Sequence, residues 1–403
     1  MALQIIDSLT IDNAVSTPQL QLCMGDLTNL SPADQVDFLV VSSVFGNYTP
    51  CSTSLIGSLN QAGISVQTLA QNKAASYAPN LLCWISQTIS SSNPGIQFSR
   101  ILVYERPLWV EMGFTPAWQI FQALNCFQAS TSTSVAIPMV SAGSGGGASL
   151  PFIMQMLFYA AVYAGSLPSY PLSVIKLVAY NSSQLAQVQP IFAALKSAYL
   201  GLIGLPNLPG DYLRYAPAAW IDIQGINLPA TLSRRQAFAL RVYTSEYHRV
   251  INHVLRNPND PNYAAMMPLF STIDSGLSNI PRSPGMTYRG EHHMSAERIS
   301  QYSPGLNIRH QAYTSSQRPA GAIYNAANYK FNINGVTARQ VAFLSEYPAE
   351  NEYIYHRSML VNVTSQSCNP TKSQCTFGVT ETPINYCSSS SNNAAITAQT
   401  EIF

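Results

Sequence analysis

From Met112 to Ile175 the chain carries not one Asp, Glu, Lys or Arg. A stretch of that length without an ionised side chain has two physical destinations, the hydrocarbon of a bilayer or the interior of a folded layer. Its most apolar part, LPFIMQMLFYAAVYAG from Leu150 to Gly165, is shorter than the ~20 residues a spanning helix needs, and Gly and Pro punctuate both ends. The expectation is a buried crossover helix and no membrane partner.

The neighbouring apolar runs fit that expectation. VDFLVVSSV (Val36 to Val44), SVAIPMVSAG (Ser134 to Gly143) and SVIKLVAYN (Ser173 to Asn181) are continuous hydrophobic runs, as in parallel strands covered on both faces. The Gly cluster SAGSGGGASLP and the apolar helix follow the second run, and the helical SSQLAQVQPIFAALKSAYLG follows the third. Strand, turn, helix, strand, helix describes an α/β layer domain.

The 403 residues suffice for two domains. LIGLPNLPGDY (Leu202 to Tyr212), broken by Pro and Gly, marks the boundary, giving domains over 1–205 and 206–365 and a Ser/Thr/Asn-rich tail over 366–403. In the second domain SRRQAFALRVYTSEYHRVINHVLRNP reads as one amphipathic helix from a Ser233 N-cap to Asn257. The runs GMTYRGEHH, IRHQAYTSSQ, AIYNAANYKFNI, QVAFLSEY and NEYIYHRSMLVNV then read as strands, so the order is α+β.

Twenty Lys and Arg against nineteen Asp and Glu leave a net charge of +1, which supplies no field for steering toward nucleic acid. The opening MALQIIDSLTIDNA lacks the basic and apolar regions of a secretory signal, so cytoplasmic synthesis is the expectation. Seven cysteines form no C-x-x-C pair. Cys23, Cys51, Cys83 and Cys126 read as reduced core thiols, while Cys368, Cys375 and Cys387 fall in the tail. The six histidines have no ligand spacing, and no metal is expected.

In so weakly charged a chain, EYPAENEYIYH from Glu346 to His356 places Glu350 and Glu352 one residue apart. On a strand, side chains two apart leave the same face, so the pair would project into one site and would need a cation or a substrate to offset its repulsion. Upstream lie TYRGE with Arg289, AYTSSQ with Ser315, and ALRVYTSEYHRVINHVLR, which presents Tyr243, Thr244, Tyr247, Ile251, Asn252, Leu255 and Arg256.

In this order the four motifs resemble the arginine-type mono-ADP-ribosyltransferases, the R-S-E class that includes binary clostridial toxins and vertebrate ecto-enzymes. The resemblance implies that NAD is the co-substrate, that nicotinamide is released, and that ADP-ribose passes to an arginine of a target protein. It assigns Arg289 and Gly290 to NAD, with the guanidinium fork on the pyrophosphate. Ser315 is assigned to the nicotinamide-ribose side, with Thr314 and Ser316 as alternative counterparts, because Tyr313 and Gln317 depart from the family's F-T-S-x-S. Glu352 is assigned to the developing ribosyl cation and Glu350 to the incoming guanidinium. Tyr324 and Tyr329 are candidates for stacking on nicotinamide, with core packing the alternative for either, and Tyr347, in the Ser345–Ala349 loop, for stacking on the target arginine. The toxin members imply secretion or translocation into a host cell.

The first half carries a second resemblance. LQLCMGDLTNLSPADQVDFLVVSSVFG is similar to the opening of a macro domain, and VAIPMVSAGSGGGASLP to its second phosphate loop. This implies ADP-ribose held by Asp26 at the adenine and by Gly143, Ser144, Gly145, Gly146 and Gly147 at the pyrophosphate. Hydrolytic macro domains use asparagines where this chain has Val41 and Val44, or Ser42 and Ser43 in a shifted register. The expected whole is an α/β macro-like domain followed by an α+β ADP-ribosyltransferase domain. Two other classes stay open: an ADP-ribose-binding module with a degenerate second half, and an NAD glycohydrolase.

Overall fold

The computed structural model describes residues 3–13, 16–78, 80–106, 115–127, 133–140, 149–167, 172–202, 208–210, 212–382 and 399–400. The chain divides into two compact units, built on Met1–Leu200 and on Gly201–Asn385.

The first unit is an eight-stranded mixed sheet. Its strands are β1 (Gln4–Thr10), β2 (Gln19–Met24), β3 (Val36–Val44), β4 (Lys73–Ser76), β5 (Cys83–Ser86), β6 (Phe98–Arg106), β7 (Thr133–Pro138) and β8 (Leu172–Ala179), in the order β1-β2-β8-β7-β3-β6-β5-β4. The five strands from β2 to β6 run parallel, and antiparallel strands flank them on both sides. Leu39, Val40 and Val41 are consecutive in β3 and all fully buried, as expected of a central parallel strand covered on both faces.

The helices of this unit are α1 (Leu55–Gln61), α2 (Val66–Leu69), α3 (Thr115–Phe127), α4 (Leu150–Gly165) and α5 (Ser182–Leu200). Helix α4 is the apolar run of the charge-free segment. Ser149 caps it by accepting from the Phe152 amide, and Pro151 sits in its first turn, where no helical donor is lost. It buries Ile153, Leu157 and Phe158, with the Phe158 ring edge-on to Phe192 of α5 at 5.4 Å. No helix among the described residues is long and apolar enough to cross a membrane. Asp26 lies in the turn after β2, where its Oδ1 accepts from the Thr28 amide at 2.8 Å and the Thr28 hydroxyl at 2.7 Å. The glycine loop with Gly143, Ser144, Gly145, Gly146 and Gly147 lies outside the described residues.

The second unit opens with α6 (Tyr212–Gln224), α7 (Arg234–Tyr243), α8 (His248–Arg256) and α9 (Tyr263–Asn279). The single helix expected from Ser233 to Asn257 is thus two. Ser233 and Gln236 form a capping box at its start, but the Thr244 and Ser245 hydroxyls donate back to the Arg241 and Val242 carbonyls at 3.1 and 2.6 Å. Such back-bonding competes with the helical ladder, and the chain turns before α8.

After the helices come β9 (Gly285–Glu291), α10 (Ala296–Gln301), β10 (Asn307–Arg309), β11 (Thr314–Gln317), α11 (Ala322–Ala326), β12 (Tyr329–Gly335), β13 (Arg339–Gln340), β14 (Glu352–Tyr355), β15 (Leu360–Cys368), β16 (Cys375–Glu381) and β17 (Gln399–Thr400). The sheet order is β13-β14-β11-β9-β12-β16-β15-β10-β17. AIYNAANYKFNI is therefore a helical turn followed by a strand, and QVAFLSEY is almost wholly loop.

Residues 366–381, expected within a loosely ordered tail, lie inside this sheet. Strand β16 pairs with β12 on one side and β15 on the other. Cys375, Phe377 and Val379 point into the core while polar residues alternate outward, a period-2 pattern masked by the Ser- and Thr-rich composition. Cys368 and Cys375 are disulfide-bonded across the β15–β16 pair. Cys126 is also disulfide-bonded, not a reduced thiol, and Cys51 is exposed, not in the core; Cys23 and Cys83 are buried and free.

Candidate active site

Strand β11 lies between β14 and β9, which brings three of the motifs together. Its antiparallel register with β14 sets Ser315 opposite Ile354 and Gln317 opposite Glu352. The Ser315 hydroxyl donates to Glu352 Oε1 at 2.6 Å, and the Ser345 hydroxyl donates to Oε2 at 3.0 Å. Glu352 is only 9% exposed. Burial raises its pKa; the two hydroxyls oppose the rise and the Glu350 charge adds to it. Of the three possible serine counterparts, only Ser315 bonds this carboxylate: Ser316 Oγ donates to the Tyr353 carbonyl, and the Thr314 hydroxyl contacts His310.

Arg289 arrives from β9. Its Nη1 donates to the Ser315 carbonyl at 2.9 Å and its Nε to Glu291 Oε1 at 2.8 Å. Arg289, Ser315 and Glu352 thus form one connected chain of contacts. Arg289 also lines a polar cavity with Arg256, Glu291, Arg298, His310, Ala312, Tyr313 and Thr314. The motif helices build the wall behind it. Asn252 Nδ2 donates to the Tyr243 hydroxyl at 3.1 Å, and the Tyr243 ring packs edge-on to Tyr313 at 5.1 Å.

Glu350 and Glu352 do not share a strand face. Glu350 ends a short 3-10 turn (Pro348–Glu350), and Asn351 adopts the left-handed conformation, φ 48° and ψ 59°, before β14 begins at Glu352. The two carboxylates are brought close by a turn, not by pleat alternation. The Asn351 side chain fixes that turn: Nδ2 donates to the Arg318 carbonyl, and Oδ1 accepts from Gln340 Nε2 at 2.7 Å. Glu350 is half-buried, which raises its pKa.

The remaining candidates separate. A side chain at Gly290 would meet Ala327 Cβ at 2.6 Å and the Ile323 carbonyl oxygen at 2.9 Å, so this glycine admits α11 against β9. Tyr324 is half-buried, packs edge-on to Tyr288 at 5.2 Å and donates to Asn332 Oδ1 at 2.6 Å. Tyr347 is 51% exposed in its loop. Sequence reasoning overlooked Ser345 as a Glu352 partner, Asn351, and the pair Glu291 and Arg298. For Glu291 a signal existed, since period 2 on a strand puts it on the face of Arg289. Among the described residues no cluster of His, Cys, Asp and Glu could hold a metal ion.

A family model described as NAD:arginine ADP-ribosyltransferase matches residues 211–375. A putative NAD(+)–arginine ADP-ribosyltransferase, Mav, of Mycobacterium avium (strain 104) is 28% identical over 136 residues, 33% of this chain and 16% of that protein. The chain thus spans about a sixth of that relative's length. Among solved structures, the type III effector XopAI of Xanthomonas axonopodis pv. citri aligns at 18% identity over 47% of this chain and 87% of its own, with a TM-score of 0.37. Exoenzyme S of Pseudomonas aeruginosa, in a complex bound to carba-NAD, aligns at 16% identity over 50% and 95%, with a TM-score of 0.38. Over residues 211–375, the second unit is thus similar to the NAD:arginine ADP-ribosyltransferase family.

Proposed function

We propose that the second unit is a mono-ADP-ribosyltransferase that transfers ADP-ribose from NAD to an arginine side chain of a target protein and releases nicotinamide. The observation that carries this reading is the linkage Arg289–Ser315–Glu352, in which one serine contacts the guanidinium through its carbonyl and the carboxylate through its hydroxyl. In the reaction the bond between ribose C1′ and the nicotinamide nitrogen breaks, and its electron pair leaves with neutral nicotinamide. No general acid is needed. Positive charge develops on the ribose, and Glu352, fixed by two hydroxyls in a poorly solvated site, stabilises it while accepting from the ribose 2′-OH. Glu350 orients the acceptor guanidinium and takes its proton as the new C–N bond forms. A free guanidinium holds its proton above pH 12, and the burial that raises the Glu350 pKa makes this carboxylate a better base.

The test is nicotinamide release and label transfer from labelled NAD onto lysate proteins. Both should vanish in Glu352→Ala, whereas Glu350→Ala should keep NAD hydrolysis and lose transfer. Unchanged transfer in the Glu350 variant would overturn arginine specificity, and hydrolysis without any labelled protein in the wild type would favour an NAD glycohydrolase.

For the first unit we infer a macro-like domain that binds ADP-ribose without hydrolysing it. Asp26 supports this, because it stands at the carboxyl end of a parallel strand, where open α/β sheets bind ligands. At the end of β3 the chain has Val41, Ser42, Ser43 and Val44 instead of an asparagine. Calorimetric titration of the full chain with ADP-ribose, comparing wild type with Asp26→Ala in a Glu352→Ala background, tests it; equal heats would remove the assignment. The disulfides support maturation in an oxidising compartment, as for a secreted or translocated protein. Thiol alkylation with mass spectrometry of the native protein, finding Cys368 and Cys375 both reactive, would contradict that.

A further inference from the structure

Glu291 has no part in the chemistry above, yet it is the most heavily engaged carboxylate of the site. Its side chain is 13% exposed and receives two guanidiniums. Oε1 accepts from Arg289 Nε at 2.8 Å and Arg298 Nη2 at 3.1 Å, and Oε2 accepts from Arg298 Nη1 at 2.5 Å. Burial works against the charged form, but the two arginines outweigh it and hold the carboxyl at about 2, so it is anionic throughout the physiological range. Arg298 comes from α10, has a side chain only 8% exposed, and grips Glu291 with both Nη groups, the fork geometry that fixes a carboxylate's plane as well as its position.

The consequence falls on Arg289. Its Nε edge is occupied by Glu291 and its Nη1 by the Ser315 carbonyl, while Nη2 makes no hydrogen bond among the described residues and the guanidinium lines the cavity. A guanidinium pinned on two sides cannot rotate, so its remaining donors keep one direction. We propose that Glu291 is a positioning residue for NAD recognition: anchored by Arg298, it holds the Arg289 guanidinium in the orientation that receives the dinucleotide's pyrophosphate. This rests on the transferase reading, and it adds that recognition depends on a carboxylate of the protein's own.

The idea separates from simple electrostatics by sign. Glu291→Gln removes a negative charge beside the cavity, so a purely electrostatic role predicts tighter NAD binding. Loss of orientation predicts the opposite, a KM for NAD raised about tenfold, equivalent to ~1.4 kcal/mol, with kcat within about twofold. Arg298→Lys keeps the charge and loses the fork, so it should raise KM in the same direction by a smaller factor. ADP-ribose, as a competitive inhibitor, should weaken in step with KM in both variants, whereas product inhibition by nicotinamide, which lacks phosphates, should not change. A general structural defect would weaken both inhibitors or lower kcat. Should Glu291→Gln not accumulate as folded protein by its thermal melt, Glu291→Asp and Arg298→Lys carry the same comparison. An unchanged or lowered KM, or equal weakening of nicotinamide and ADP-ribose, overturns the proposal. Failure of the wild type to release nicotinamide, or its persistence in Glu352→Ala, overturns the underlying transferase reading instead.

Discussion

The Ser315 hydroxyl donates to the Glu352 carboxylate across 2.6 Å. A hydrogen bond to a charged acceptor in a buried site contributes about 1.5–3 kcal/mol, which converts to roughly a 10- to 100-fold effect on rate if the bond acts in the transition state. Ser315→Ala should therefore lower kcat for nicotinamide release by that factor. Ser345→Ala, which removes the longer 3.0 Å bond to the other oxygen, should cost less. Steady-state assays of the two variants side by side check the order, and equal losses would show that the distances do not rank the bonds.

Glu352 also makes a prediction about stability. Burial raises its pKa, against the pull of Ser315 and Ser345 and with the help of Glu350. The folded state then binds this proton more tightly than the unfolded chain does, so stability falls as pH rises from the ordinary glutamate range through the folded value. Replacing the group by a neutral isostere removes that cost. Glu352→Gln should melt at or above the wild-type Tm at pH 7 while releasing no nicotinamide, and the two curves should converge near pH 4. A lower Tm at pH 7 would mean that the carboxylate stabilises the fold.

The legible part of this molecule was carried by residues whose role is local or ordered along the chain. Motif order points to Arg289, Ser315 and Glu352, which lie in one chain of contacts, and continuous hydrophobicity marks the apolar runs of β3, β7 and β8. What escaped depends on tertiary partners. The break between α7 and α8 needs two hydroxyls to prefer carbonyls over water, and one of them, Thr244, also donates to the Leu344 carbonyl, distant in sequence. The end of strand β15 and all of β16 hide behind a tail-like composition because many of their side chains face away from the core. The turn at Asn351 could not be read because glutamates one residue apart suit a strand and a turn equally well.

Asn351 is the next test. Its left-handed φ of 48° costs a non-glycine residue about 1 kcal/mol, and its side chain ties the turn to Arg318 and Gln340. Asn351→Gly keeps the backbone conformation but loses both ties, while Asn351→Ala loses the ties and keeps the strain. If the turn sets Glu350 against Glu352, both variants should lower the ratio of transfer to NAD hydrolysis, Ala more than Gly, with the KM for NAD unchanged. A proportional fall in both activities would point to a general loss of the site.

Behind the site, Asp274 of α9 accepts from Arg357 Nε at 2.8 Å and from the Tyr313 hydroxyl at 2.7 Å, just before Thr314 and Ser315. Burial opposes its charge, but Arg357 and His356 outweigh burial and lower its pKa. A depressed carboxylate contributes stability that is present above its unfolded pKa of about 4 and is lost as pH falls through the folded value. Glu291, held at about 2, behaves the same way. The second unit should therefore lose stability progressively as the pH falls below about 4. Asp274→Ala leaves the Arg357 charge buried without its partner and should cost about 3–5 kcal/mol at pH 7, with the difference from wild type shrinking as the pH falls below about 4. Denaturant titrations at neutral and at acidic pH measure this directly. A difference that does not shrink at the lower pH would mean that the Asp274 contribution comes from packing and not from its charge.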